Sequence, residues 1–394
     1  MSLPLEGIRV LDASTILAGP LASGLLAEFG AEVIKVEEPG VGDPVRGYPP
    51  LVDGESAHWS LVGRNKQSVT MDLRKPEGAA VFRRLVRSAD VVVTNFRPST
   101  LCTYGIDFDA LVQERPDLVM VHISAFGRTG PYADRPGFAR VAEAFAGLTQ
   151  RTGFPDGPPM FSGYAIADGV AGIYGAFSAM LALRQRDRSG EAQLADIALY
   201  EPVLRMMEDF ICDFGATGVV AGRSGNDNAK ISPNGLFATA DGQYVVLPAS
   251  TQRMWERLEP LLDDPMLHQL RTHEQRIENR DLIHKRVEAF TRRHDLAELL
   301  ELLAEAGVAC GPVNTAADIC ADPHIKARGS IVEVEDPARG TTHLMQAAAG
   351  RFSGFDARVG SPGARLGEHT EDVLQRLAGC TATDIQTLRA NGIV

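Results

Sequence analysis

Paired cysteine is the first thing this chain lacks. Cys102, Cys212, Cys310, Cys320 and Cys380 are scattered, odd in number and free of any CxxC spacing. That excludes a disulfide framework and a zinc knuckle and reads as reduced thiols in the cytoplasm. The nine histidines are equally dispersed, with no HExxH and no two at i, i+4, so no metal site is expected. Glycine-rich nucleotide loops are missing as well: neither GxGxxG nor the GxxxxGK signature of a P-loop occurs. Positive charge is short, 39 Lys and Arg against 51 Asp and Glu for a net −12, which argues against nucleic acid as the main partner. No apolar run approaches the ~20 residues of a bilayer span, and no basic stretch followed by an apolar core opens the chain, so the expectation is a soluble protein that is neither membrane-bound nor exported.

What is present is an ordinary globular composition, 44% hydrophobic and 23% charged over 394 residues, a length at which chains usually divide into two domains. Apolar runs at 8–11 and 32–36 flank a helical pattern at 20–29, which makes a βαβ unit. The pattern repeats, with strands expected at 68–73, 91–95, 118–123 and 193–198 and helices at 76–87, at 167–185 and from Tyr200 onward. Strands apolar on both faces that alternate with helices predict an open, Rossmann-like parallel sheet covered on both sides. Residues 222–233 are polar and rich in Gly, Asn and Ser, as linkers and mobile loops are. We therefore expect a large α/β domain over 1–221, a linker and smaller α+β domain over 222–329, and a return to the large domain over 330–394.

Three places could carry chemistry. Ala18-Gly19-Pro20 follows the first strand and opens its helix, where open α/β sheets bind ligands; a plain tight turn is the alternative. Asp168 stands at the start of a long helix, followed by Gly169, Ala171 and Gly172. It reads either as a helix N-cap or as a carboxylate held ionised as a nucleophile, with the small residues leaving room for a bulky substrate. Arg64, Asn65 and Lys66 before one strand, and Asn95, Phe96 and Arg97 after another, read as local anion sites or as solvated loop charge.

These segments come together in a known pattern. With Gly42-Asp43, Arg64-Asn65-Lys66, Asn95-Phe96-Arg97-Pro98, Phe126-Gly127-Arg128-Thr129-Gly130-Pro131, Asp168 with Gly172, Gly311-Pro312-Val313 and Leu366-Gly367-Glu368-His369-Thr370 in order, the chain resembles the family III CoA-transferases, the group of the formyl-CoA and carnitine CoA-transferases. The resemblance implies an interlocked, ring-like homodimer. It implies that Asp168 attacks an acyl-CoA thioester, passing through a mixed anhydride and an aspartyl-CoA thioester, with CoA as substrate and no permanently bound cofactor. It places Ile16, Leu17 and Ala18 near the thioester, Lys66 and Arg97 at the phosphates or adenosine, Asn95 and Phe96 beside them, and Tyr104 at the pantetheine or adenine end. Phe126, Gly127, Phe138 and Tyr164 would form an acyl pocket suited to a branched, aromatic or dicarboxylic group such as succinyl. The chain departs from the formyl-CoA enzyme at Leu17 and at residues 248–252, which points away from oxalate, and it has Glu38 where relatives often carry Arg, so no phosphate contact is carried over to position 38. The family also holds 2-methylacyl-CoA racemases, whose histidine falls on Phe138, and a phenyl ring cannot accept a proton. A non-catalytic acyl-CoA-binding protein is the third reading.

Overall fold

The computed structural model describes residues 2–52, 54–228, 230–337 and 339–394. Six strands, β1 (Arg9–Ala13), β2 (Glu32–Glu37), β3 (Lys66–Thr70), β4 (Val91–Thr94), β5 (Val119–Ser124) and β6 (Gln193–Ala198), form one parallel sheet in the order β3-β2-β1-β4-β5-β6. This is the doubly wound order, whose direction reverses between β1 and β4 and opens a crevice at the strands' carboxyl ends. Alternate residues feed two separate cores. Val10, Val91, Val93 and Val121 pack with α1 (Ala18–Glu28), while Leu11, Ile34, Val92 and Met120 pack with α2 (Pro76–Val86), which opens on a proline at its first turn.

Further along lie α3 (Pro98–Tyr104), α4 (Ala139–Phe145) and the 24-residue α5 (Ile166–Ser189), then α6 (Tyr200–Met206) and α7 (Glu208–Thr217). By length and composition α5 could cross a bilayer, which the sequence reading did not register. Its Ala and Gly face (Ala167, Ala171, Gly172, Gly175, Ala179) is buried instead against α1 and β5. A Cβ on Gly172 would come within 2.8 Å of the Leu21 side chain, and one on Gly175 within 2.8 Å of Ile123 and 2.9 Å of Ala22. Gly172 and Ala171 thus serve close helix packing and not, as the sequence suggested, room for substrate.

The chain divides into two compact units, one of residues 1–149, 162–218 and 325–394, the other of residues 150–161 and 219–324. The boundaries differ from those read off the sequence, because 150–161 is tied to the second unit: the Gly225 amide donates to the Gly153 carbonyl at 2.9 Å, and Arg223 donates to the Gly157 carbonyl at 2.7 Å. The second unit holds a small antiparallel sheet, β7 (Gly235–Ala238), β8 (Tyr244–Leu247) and β9 (Gly311–Pro312), with β8 in the centre. Against it pack α8 (Gln252–Leu262), α9 (Arg280–Thr291) and α10 (Leu296–Glu305) around Trp255, Leu258, Val287 and Leu299.

On returning to the first unit the chain forms the hairpin β10 (Ile331–Asp336) and β11 (Thr341–Gln346), and α11 (Thr370–Ala378), which seals α2 and β3. The Asp72 amide donates to the Ile393 carbonyl at 2.8 Å, and the Thr70 amide to the Thr370 hydroxyl at 3.0 Å.

Candidate active site

The turn from β1 into α1 crosses the crevice at the switch point. The Thr15 amide donates to Asn95 Oδ1 at 2.9 Å, and Asn95 Nδ2 returns a bond to the Thr15 carbonyl at 2.7 Å. That pair stitches the carboxyl end of β1 to that of β4. Ile16 follows with φ +71°, held through its amide by the Asp43 carboxylate at 3.1 and 3.2 Å. No side chain caps α1.

Beside this turn lies a cavity of about 100 Å³, lined by Ile16, Leu17, Ala18 and Asn95, by Ser124 and Ala125 after β5, by Phe138 before α4, and by Asp168. Asp168 is the only ionisable side chain among the described residues that line it. It is the third residue of α5 and not its N-cap; that position belongs to Ala165, which offers no side-chain bond. The cap comes from a distance. Buried Glu143 of α4 accepts the Ala167 amide at 3.3 Å through one oxygen and Arg140 Nη1 at 2.8 Å through the other. The local choice between cap and free carboxylate therefore resolves toward a carboxylate not spent on the helix end. Burial, and then the neighbouring Glu143 charge, push the Asp168 carboxyl up to about 6.

A second cavity of about 200 Å³ shares Thr15 with the first and runs toward the ends of β2 and β3, where Glu38, Asp43, Arg74, Phe96 and Tyr104 line it. Phe96 and Tyr104 meet edge to face, their centroids 6.1 Å apart. Arg74 is held by Glu38 at 2.6 Å and Asp72 at 2.8 Å, which keep its guanidinium firmly charged. Arg74, from the loop after β3, thus brings a guanidinium to this cavity beside Glu38.

Of the residues singled out in the sequence, the structure brings Ile16, Leu17, Ala18, Asn95, Phe138 and Asp168 to one cavity and Phe96 and Tyr104 to its neighbour. Tyr164 is exposed, outside the residues that line this cavity, with its ring 3.5 Å from where a Cβ on Gly169 would sit; partial burial, and then the Asp168 charge, push its phenol up. Arg97 is exposed next to Phe96, with its Nη1 3.5 Å from the Asp134 carbonyl. Lys66 needs a correction: it is 3% exposed, its Nζ donating to Asp12 at 2.9 Å and to the Pro20 carbonyl at 2.6 Å, so it faces the core and no phosphate. Phe126 turns away into an aromatic cluster with Tyr132, Phe145 and, through Phe145, Tyr200, and Gly127 closes a turn onto Ser124. The sequence reading missed Glu143 and Arg74, and named Asp43 only within the Gly42-Asp43 segment, with no role. An acid three residues after Arg140, in a short segment otherwise made of Ala, Val and Phe, was the one available signal for Glu143. Among the described residues no group of three or more His, Cys, Asp or Glu could hold a metal ion.

Residues 5–370 match the family model for CoA-transferase family III. The chain is 39% identical to the succinyl-CoA–D-citramalate CoA-transferase of Chloroflexus aurantiacus, over 99% of this chain and 98% of that protein. It is 35% identical to the succinate–glutarate CoA-transferase of Agrobacterium fabrum, over 95% and 96%. Among solved structures it is similar to a CAIB/BAIF family protein from Brucella suis, with 34% identity, a TM-score of 0.84 and coverage of 96% of this chain and 100% of that one.

Proposed function

Since the chain belongs to CoA-transferase family III, we propose that it moves CoA from an acyl-CoA of the succinyl class to a free dicarboxylic acid, with Asp168 as covalent nucleophile. The observation that carries this is the state of Asp168: half-buried, excused from capping its helix by Glu143, and alone among ionisable groups on the cavity wall. The relatives' names support the substrate class, since they pair succinyl-CoA or succinate with citramalate or glutarate.

The chemistry needs no proton. An Asp168 oxygen attacks the thioester carbon, the C–S bond breaks, and CoA leaves as thiolate from a mixed anhydride. The thiolate then attacks Asp168 Cγ and expels the donor's carboxylate, which leaves an aspartyl-CoA thioester. The acceptor's carboxylate attacks Cγ in turn and releases the thiolate once more. Attack of that thiolate on the acceptor's acyl carbon frees Asp168 and forms the new acyl-CoA. One carboxylate enters and one leaves at each exchange, so the bond energy is conserved without ATP. At pH 7 a carboxyl titrating near 6 is about ten-elevenths ionised and more basic than an ordinary aspartate, which suits a nucleophile. The cavity that holds Phe96, Tyr104 and Arg74 would take the nucleotide end of CoA, with an aromatic surface for the base and a guanidinium for phosphate.

A racemase would need an acid and a base on opposite faces of the α-carbon. Phe138 supplies neither. We further assign the active form as a homodimer in the cytoplasm. All five cysteines are free, as suits a reducing compartment, and an apolar face of α5 is exposed for want of a partner.

The test is to mix the enzyme with succinyl-CoA alone and look for free CoA and for a CoA adduct on the peptide bearing Asp168. Asp168→Asn should give no adduct and lose transfer by about three or more orders of magnitude while keeping its thermal transition. Normal transfer by this variant would refute the mechanism, and binding without any burst in the wild type would favour a non-catalytic carrier.

A further inference from the structure

We propose that Asp43 is a positioning residue for the transfer reaction: its carboxylate holds Ile16 in a left-handed backbone conformation and thereby aims the first-turn amides of α1 at the thioester oxygen. This deepens, and rests on, the reading of Asp168 as nucleophile.

Ile16, at φ +71°, is the one β-branched residue with positive φ among the described residues; the other two non-glycines are Asn65 and Asp263. A side chain branched at Cβ is disfavoured there and stays only where its surroundings over-determine it. Those surroundings are all side chains gripping backbone. Lys35 Nζ donates to the Ser14 carbonyl, Asn95 takes both polar groups of Thr15, Asp43 takes the Ile16 amide through both oxygens, and Lys66 Nζ donates to the Pro20 carbonyl. Asp43 is itself fixed. It is 2% exposed, with Oδ2 3.2 Å from Lys35 Nζ, Oδ1 accepting the Val45 amide at 3.0 Å and its own amide donating to Glu37 at 3.0 Å.

So many anchors on one turn call for a reason, and the reason lies at its open end. The next amides, of Leu17 and Ala18, begin an uncapped helix, and both residues line the cavity that contains Asp168. When Asp168 attacks, negative charge collects on the former carbonyl oxygen. The N–H groups of Leu17 and Ala18, at the positive end of a helix and on the wall of the same cavity, would stabilise that charge with no reorganisation during the step. If Ile16 relaxed to negative φ, the chain after it would swing and carry both donors off target. Lys35 and Lys66, buried beneath this turn, then have a use: they fix carbonyls and the Asp43 carboxylate.

The experiment measures kcat and KM for succinyl-CoA per folded enzyme. Asp43→Ala should lower kcat by about a hundredfold, with KM moving far less. Adding Ile16→Gly to it should recover about tenfold, because glycine takes positive φ without strain and no longer needs the anchor. Asp43→Ser, too short to reach the Ile16 amide but still polar beside Lys35, repeats the comparison should Asp43→Ala not fold. A wild-type kcat in the variant that folds, or no recovery on adding Ile16→Gly, overturns the proposal, since a merely structural aspartate would not be relieved by glycine at position 16. Wild-type enzyme is the control: its failure to transfer CoA would fault the reaction assigned above, whereas an active wild type with an unrelieved Asp43 variant would fault the positioning role alone.

Discussion

Asp168 attacks only as a carboxylate, and its acidity is set by two influences that act in the same direction. Burial and the Glu143 charge raise its titration to about 6, so between about pH 4 and pH 6 the enzyme keeps a proton there that an ordinary aspartate would already have lost. We expect kcat/KM to fall by about tenfold per pH unit below that value, as the nucleophile is protonated. Glu143→Gln keeps an oxygen for the Ala167 amide but removes the charge. The acid limb of the profile should therefore move to lower pH, so that the variant outperforms its own neutral-pH ratio to wild type when both are assayed near pH 5. An acid limb left where it was would mean that the Glu143 charge does not reach Asp168.

At the scale of elements, the site is a by-product of how closely α5 and α1 approach. Gly175 lets α5 lie against Ala22 of α1 and Ile123 of β5, and a Cβ there would sit 2.9 and 2.8 Å from them. Gly175→Val should cost about 1–3 kcal/mol, read as a lowered Tm, and should depress kcat as well, because the first turn of α1 forms the cavity wall. Gly175→Val with an unchanged Tm would place the two helices further apart than described. The elements were largely legible in the sequence: β1, β2, β4, β5 and β6 are apolar runs between helical patterns, and their regular alternation implied a parallel sheet before any contact was known. Asp168 was legible as a candidate for the same reason, standing in the first turn of a long helix. What supports it was not legible. Asp43 reaches Ile16 across 27 residues and Glu143 reaches Ala167 across 24, and no periodicity encodes such pairings. Lys66 misled for the converse reason, since a lysine read near a sheet end suggests solvent, whereas here a buried aspartate had claimed it.

The whole molecule leaves a face uncovered. Ile173, Tyr174, Phe177, Met180 and Leu181 recur at i, i+1, i+4, i+7 and i+8 along α5, and each is at least 37% exposed. Apolar stripes of this size mark a protein interface on soluble proteins, and a second copy of the chain is the partner we assign. Light scattering should give the mass of a dimer, and Phe177→Glu combined with Leu181→Glu should give monomer or aggregate. A monodisperse wild-type monomer would contradict the assignment. A different consequence follows from the way residues 325–394 close the first unit. The Asp72 amide waits for the Ile393 carbonyl, and β3 waits for α11. On the ribosome, at about 5–20 residues per second, the sheet beneath the helix that carries Asp168 must therefore emerge with one side bare and stay so while residues 219–324 of the second unit are made. Such a nascent chain is a natural client for chaperones, and its yield in a cell should depend on them more than the stability of the finished protein would suggest.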